Sequence, residues 1–214
     1  MKYKLCLFDF DYTLVDTSKP IVESFKYTFE TLNLDGFDEE VAKKTIGMTL
    51  RDGFSLMGNI NDEELINKCL EIYRSKSEEI TAPNTVLFDD TINTLSELKK
   101  KNIKIGIVST RNGKRIISIL EYLDCLKYID FVVGAEDVSI QKPSPEGLLK
   151  AMEYFNCNKD EVLYVGDSYI DAKAAENANL DFVGVTTGTT SQIDFEEYNS
   201  IRIVDKLSNI LDLV

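Results

Sequence analysis

The chain contains no histidine. That absence removes Ser-His-Asp and Cys-His nucleophilic catalysis, and every metal centre built on imidazole. Cysteine is scarce: Cys6, Cys69, Cys125 and Cys157 are the only four in 214 residues, and none forms a CxxC or other metal-ligand spacing. So few thiols in so long a chain exclude a disulfide scaffold; reduced, buried thiols and a cytoplasmic location are the expectation. Positive charge is also in deficit. Lys+Arg number 24 against 37 Asp+Glu, a net charge of −13. A general nucleic-acid surface needs a basic face to displace counterions, so nucleic acid is excluded as a partner, although a few local cations can still hold a small anion. Long apolar runs are missing too. The opening "MKYKLCLFDFD" ends in acid rather than in a cleavage site, and neither a signal peptide nor a membrane span is expected.

What is present is ordinary for a globular protein: 43% hydrophobic and 29% charged residues, enough for one good core with a smaller second module. Short apolar runs alternate with helical patterns through the last two thirds. "IKIGIVS", "FVVG", "VLYVGD" and "FVGV" read as buried strands. Between them Ile116, Ile119, Leu120 and Leu123 fall at helical spacing, as do Leu148, Met152 and Phe155. In "SPEG" Ser144 is expected to cap a helix that starts at Pro145. Strands separated by helices imply a parallel sheet covered on both faces.

The first strand, Lys4 to Asp9, is followed by a different pattern. From Ser18 to Ile80 no strand is evident; Ile21, Phe25, Phe29 and Leu32 mark one helix, and Asn61 with Glu64 fits a capping box for another. "TAPNTVLFDD", with Pro83, reads as the return crossing. The chain thus divides into an α/β core, 1–15 and 83–214, interrupted by a helical insertion, 16–82.

Ligands of an open parallel sheet bind at the carboxyl ends of its strands. Here those ends carry Asp9 with Asp11 two residues on, Ser109 with Thr110, and Asp167 with Asp171 one helical turn later; Lys142 lies in a loop entering a helix. Each element alone has a plain structural reading as a turn, a cap or a solvated lysine. Together they would converge on one crevice, where carboxylates repel unless a cation is present. Oxygen-only ligands point to a hard ion, Mg²⁺ above all.

The set "DFDYT", Ser109, Lys142 and "GDSYID" resembles the haloacid dehalogenase (HAD) superfamily over nearly the whole chain, with the helical insertion where that family's C1-type cap sits. The resemblance implies a Rossmann-like core and a Mg²⁺-dependent phosphatase of the phosphoglycolate phosphatase-like branch. It makes Asp9 the nucleophile that forms an aspartyl-phosphate, and Asp11 the general acid and then base. It assigns Mg²⁺ to the Asp9 carboxylate, the Asp11 carbonyl and Asp167. Ser109, Thr110 and Lys142 take the phosphoryl oxygens and the nucleophile's charge, and Asp171 orients Lys142 or a metal-bound water. The expected partner is a small phosphorylated metabolite, with the protein a monomer or weak homodimer. An aspartate at Asp11 favours ester hydrolysis over dehalogenation.

Tyr12 stands where the family motif often has glycine, and packing is its simplest reading. Arg51 is read equally as a substrate contact or as part of a solvated helix face. The rivals are a β-phosphoglucomutase-type mutase, which the missing histidine after the first motif disfavours, a pyrophosphatase or nucleotide phosphatase of the same superfamily, and a non-catalytic binding protein.

Overall fold

The computed structural model describes residues 2–214. Eight strands form in chain order: β1 (Leu5–Phe8), β2 (Val15–Asp16), β3 (Val86–Leu87), β4 (Lys104–Val108), β5 (Phe131–Val133), β6 (Val162–Gly166), β7 (Asp181–Val185) and β8 (Arg202–Val204). Six of them make one sheet in the order β5-β4-β1-β6-β7-β8, every neighbouring pair parallel. β1 lies at its centre, with Phe8 paired to Ile107 on one side and to Val165 on the other. The carboxyl ends of β1, β4 and β6 therefore lie side by side, the crevice in which such sheets bind ligands.

Alternation along β1 shows why the sheet is buried on both faces. Cys6 and Phe8 enter one apolar cluster, Leu5 and Leu7 the other. Helices α5 (Thr91–Lys100) and α6 (Gly113–Tyr122) supply Leu95, Leu98, Ile116, Ile119 and Leu120 to the first. Helices α7 (Glu146–Phe155) and α8 (Tyr169–Ala178) supply Leu148, Met152, Ala174 and Ala175 to the second. A strand covered on both sides has no polar face to show, and so reads as a continuous apolar run.

Four helices occupy the segment between β2 and β3: α1 (Ser18–Thr31), α2 (Glu39–Lys44), α3 (Leu50–Gly58) and α4 (Glu63–Asn84). They gather around a third apolar cluster in which Phe25 meets both Phe54 and Tyr73 at ring-centroid distances of 4.8 Å. Tilted aromatic contacts of this kind add to simple area burial. β2 and β3 pair antiparallel where the chain leaves and re-enters the sheet domain.

Three local expectations need correction. Asp62, not Asn61, caps α4, its carboxylate accepting from the Leu65 N–H at 2.7 Å. Pro83 lies inside the last turn of α4 rather than in a loop. Helix α7 starts at Glu146 with Pro145 at the cap position, while the Ser144 hydroxyl accepts from the Glu146 N–H at 3.3 Å. The short edge strand β8 has no counterpart in the sequence reading; three residues are too few for a period-2 signal. The cysteines are all free; three are buried and Cys157 is half-buried. No helix among the described residues is long and apolar enough to cross a membrane.

Candidate active site

Asp9 immediately follows β1, its N–H donating to the Val165 carbonyl at 2.9 Å. Lys142 reaches in from the loop before α7, its Nζ 2.6 Å from Asp9 Oδ1 and 2.6 Å from Asp171 Oδ1. All three side chains are at most 5% exposed. Ligand atoms of Asp9, Asp167 and Asp171 lie within 4.8 Å of one another. One ammonium facing three buried carboxylates leaves uncompensated negative charge. Accordingly, burial first and then the neighbouring carboxylates push Asp9 and Asp167 above the ordinary aspartate range, with Lys142 opposing. Burial alone would lower Lys142, but Asp171 and Asp9 more than offset it and hold its ammonium charged.

Asp171 has both oxygens occupied. Oδ1 accepts from Lys142 and from the Tyr164 hydroxyl at 2.7 Å, and Oδ2 accepts from the Ser168 N–H at 3.2 Å and the Ser168 hydroxyl at 2.5 Å. Tyr164 belongs to the middle of β6 and is wholly buried; its hydroxyl also receives Lys142 at 3.1 Å. Asp167 by contrast accepts, among the described residues, only from the Thr13 hydroxyl, at 3.2 Å, and keeps acceptor capacity to spare. The donor set fits a hard divalent cation: oxygen ligands, excess negative charge and one carboxylate with few protein partners. Gly188 completes this wall, because a Cβ there would fall 1.8 Å from Asp167 Oδ2.

Asp11 turns away from the cluster. Its carboxylate accepts from the Thr17 hydroxyl at 2.5 Å and from the guanidinium of Arg111, through Nε at 2.9 Å and Nη2 at 2.8 Å. Both partners of this fork are about 10% exposed or less. Ser109 immediately follows β4, buried, its N–H on the Val133 carbonyl at 3.0 Å and its hydroxyl accepting from the Arg111 N–H at 3.3 Å. The Thr110 hydroxyl donates to the Gly47 carbonyl at 3.3 Å, a contact from the helical insertion to the sheet domain.

The residues expected from sequence thus fall into two adjoining groups. Asp9, Lys142, Asp167 and Asp171 form one; Asp11, Ser109 and Thr110 stand beside it on the α6 side. Three participants escaped the sequence reading: Arg111, Tyr164 and Gly188. Arg111 sits in the quoted "STRNG" stretch, but nothing local says that it forks onto an aspartate 100 residues away. Tyr12 adopts φ 61°, a left-handed conformation uncommon for a bulky residue, and packs its ring into the cluster of the helical insertion. The loop after β1 is in this way tied to the insertion above it.

That insertion and the sheet domain enclose a cavity of about 890 Å³. Asp11 and Arg111 are in its lining, with Thr45–Arg51 and Tyr73–Arg74 from the insertion, and Arg115, Glu136 and Gln141 from the sheet domain. Arg51 lines it too, yet pairs with Glu63 at 2.7 Å and with Asn67 at 3.2 Å.

Comparison with known proteins agrees with this architecture. The haloacid dehalogenase-like hydrolase family model matches residues 6–185. Pyrophosphatase PpaX of Bacillus cereus is 30% identical over 214 residues, covering 100% of this chain and 97% of that protein. A crystal structure of a candidate haloacid dehalogenase-like hydrolase from Bacteroides fragilis superposes with a TM-score of 0.94 at 40% identity, covering 98% of this chain and 100% of the other. A predicted phosphatase from Clostridium acetobutylicum gives 0.90 at 25% identity, over 100% and 98% of the two chains. These likenesses run over nearly the whole chain, and the chain belongs to the haloacid dehalogenase-like hydrolase family.

Proposed function

We propose that the chain is a Mg²⁺-dependent phosphatase acting on a small phosphorylated metabolite, with Asp9 as nucleophile. The observation that carries this reading is the Asp9–Lys142–Asp171 arrangement. A buried carboxylate is held at the carboxyl end of the central strand by a lysine that is itself fixed from behind. Asp9 attacks phosphorus and becomes the aspartyl-phosphate, the ester oxygen leaving with the bonding pair. Asp11 gives that oxygen its proton and later takes one from the water that attacks the phosphorus, the Asp9 carboxylate leaving with the bonding pair as inorganic phosphate is released. Ser109 and the Thr110 amide hydrogen-bond phosphoryl oxygens, and Lys142 offsets charge at the nucleophile. Tyr164 and Asp171 fix the lysine. The Asp9 carboxylate, the Asp11 carbonyl and Asp167 would hold Mg²⁺, which supplies charge neutralisation and a template for the phosphoryl group when bound.

Residues 16–82 act in this reading as a cap that encloses the substrate and excludes water, leaving residues 1–15 and 83–214 as the catalytic core. A cytoplasmic location suits free thiols and a chain without an apolar spanning helix among its described residues. The likeness to pyrophosphatase PpaX favours pyrophosphate as a candidate beside phosphoglycolate.

The test is phosphate release from pyrophosphate, phosphoglycolate, hexose phosphates, nucleotides and p-nitrophenyl phosphate, with and without Mg²⁺, for wild type and Asp9→Asn. Turnover that vanishes with chelation and in Asp9→Asn, while the variant stays folded, is the expected result. Turnover that survives Asp9→Asn would overturn the assignment.

A further inference from the structure

The chain uses lysine almost everywhere it needs a cation: of its 24 basic residues, 19 are lysines and five are arginines. Yet four of those five, Arg51, Arg74, Arg111 and Arg115, line the cavity between the helical insertion and the sheet domain, and no lysine does. Only Asp11 and Glu136 oppose them in the lining. In a protein of net charge −13 this is a local inversion of sign. The choice of arginine matters, because its planar fork suits carboxylate and phosphate oxygens in a way an ammonium does not.

Their existing partners do not account for all four. Glu136 is engaged elsewhere, accepting from the Gly113 N–H at 3.0 and 2.9 Å. Arg115 donates one bond to the Arg74 carbonyl at 2.9 Å, and its nearest carboxylate, the largely exposed Glu78, stands 3.8 Å off. Burial, with Arg111 and Arg74 close by, lowers the Arg115 pKa. Arg74 lies on α4 and Arg115 on α6, and the Arg115 guanidinium reaches the Arg74 carbonyl, so the two line neighbouring parts of the cavity. Arg111 is within a hydrogen bond of Asp11 and hence next to any group that Asp11 touches.

We propose that Arg74, Arg111 and Arg115 form a subsite for a second anionic group, and that the substrates are phosphoryl compounds whose leaving group is itself an anion, a second phosphate or a carboxylate. The inference rests on the phosphatase reading, in which Asp11 protonates the leaving oxygen; Arg111 then faces the charge that develops on that side. Arg115 and Arg74 take the outer oxygens, one from the sheet domain and one from the insertion, so such an anion also bridges the two.

The test compares kcat/KM for pyrophosphate, phosphoglycolate and p-nitrophenyl phosphate, whose leaving group bears no anionic substituent. Wild type is expected to prefer one of the anion-bearing compounds by at least about tenfold, and the better of the two identifies the second group as phosphate or carboxylate. Arg115→Gln and Arg74→Gln should each lower that preference by roughly 10–100-fold, the size of one lost charge-assisted hydrogen bond. Arg115→Lys, which keeps charge without the fork, should fall between. Arg202→Gln, removing the one arginine outside the cavity, should change none of the three rates. A preference unchanged in both glutamine variants, or absent in wild type that still turns over p-nitrophenyl phosphate through Asp9, overturns the subsite and leaves the phosphatase standing. Absence of Asp9-dependent turnover on every compound overturns both.

Discussion

Gly188→Ala adds a single methyl group and should disable the site. In the native structure a Cβ at this position would lie 1.8 Å from Asp167 Oδ2, 2.6 Å from its Cγ and 2.8 Å from its Cβ, whereas real contacts stay beyond 3.0 Å. One side must therefore move by more than an ångström. The loop is pinned on both flanks: the Thr186 N–H donates to the Val204 carbonyl at 2.9 Å, the Thr187 hydroxyl to the Tyr12 carbonyl, and Thr190 accepts from the Tyr169 N–H at 3.1 Å. Asp167 rests on one hydrogen bond, from Thr13, so the carboxylate gives way first. Misplacing a catalytic group by about 1 Å costs on the order of 100-fold in rate, and overpacking a tight site costs about 1–3 kcal/mol of stability. The assays are steady-state phosphate release against Mg²⁺ concentration, and urea unfolding. The expected outcome is a loss of about 100-fold in kcat/KM, a raised Mg²⁺ requirement and only modest destabilisation. Activity within threefold of wild type at the same Mg²⁺ requirement would refute the claim that this glycine exists to make room for Asp167.

Two further perturbations address the charges. Lys142→Met leaves Asp9, Asp167 and Asp171 buried without their shared cation; unfolding should show a loss of about 3–5 kcal/mol, together with activity, and an unchanged midpoint would contradict the pairing drawn here. Asp130 accepts from Lys99 at 2.9 and 2.8 Å and from the Ile105 N–H at 2.9 Å. Burial raises its pKa, but these donors more than offset that and hold it below the ordinary 3.8. A depressed carboxylate stabilises the fold above its unfolded pKa and loses that contribution as pH falls through the folded value. Chemical denaturation between pH 6 and pH 2 should therefore show wild type losing stability below about pH 4 that Asp130→Asn does not lose; parallel curves would exclude the effect.

The sequence by itself determined the class of fold and singled out most of the polar residues that the fold gathers at the carboxyl ends of its central strands. Core strands such as "VLYVGD" are contiguous, and burial on both faces leaves an unbroken apolar run in the chain; the aspartates at their ends are legible because a strand that runs into acid is locally anomalous. The insertion was legible in the same way, from helical spacing between Ile21 and Leu32 where strands were due. Helix boundaries such as Asp62 and Glu146 were missed by a residue, since several neighbouring polar groups can serve as caps and only the backbone turn chooses among them. What the tertiary structure decided was partnership. Asp11 and Arg111 lie 100 residues apart, and Lys142 reaches Asp9 across 133. Arg115 meets Arg74 only because α6 packs beside α4. No periodicity records such encounters, which depend on strand order and on the direction each side chain takes at a strand end. That is why Asp9 and Lys142 could be singled out from the chain, while the grouping of Arg74, Arg111 and Arg115 came into view only once it was folded.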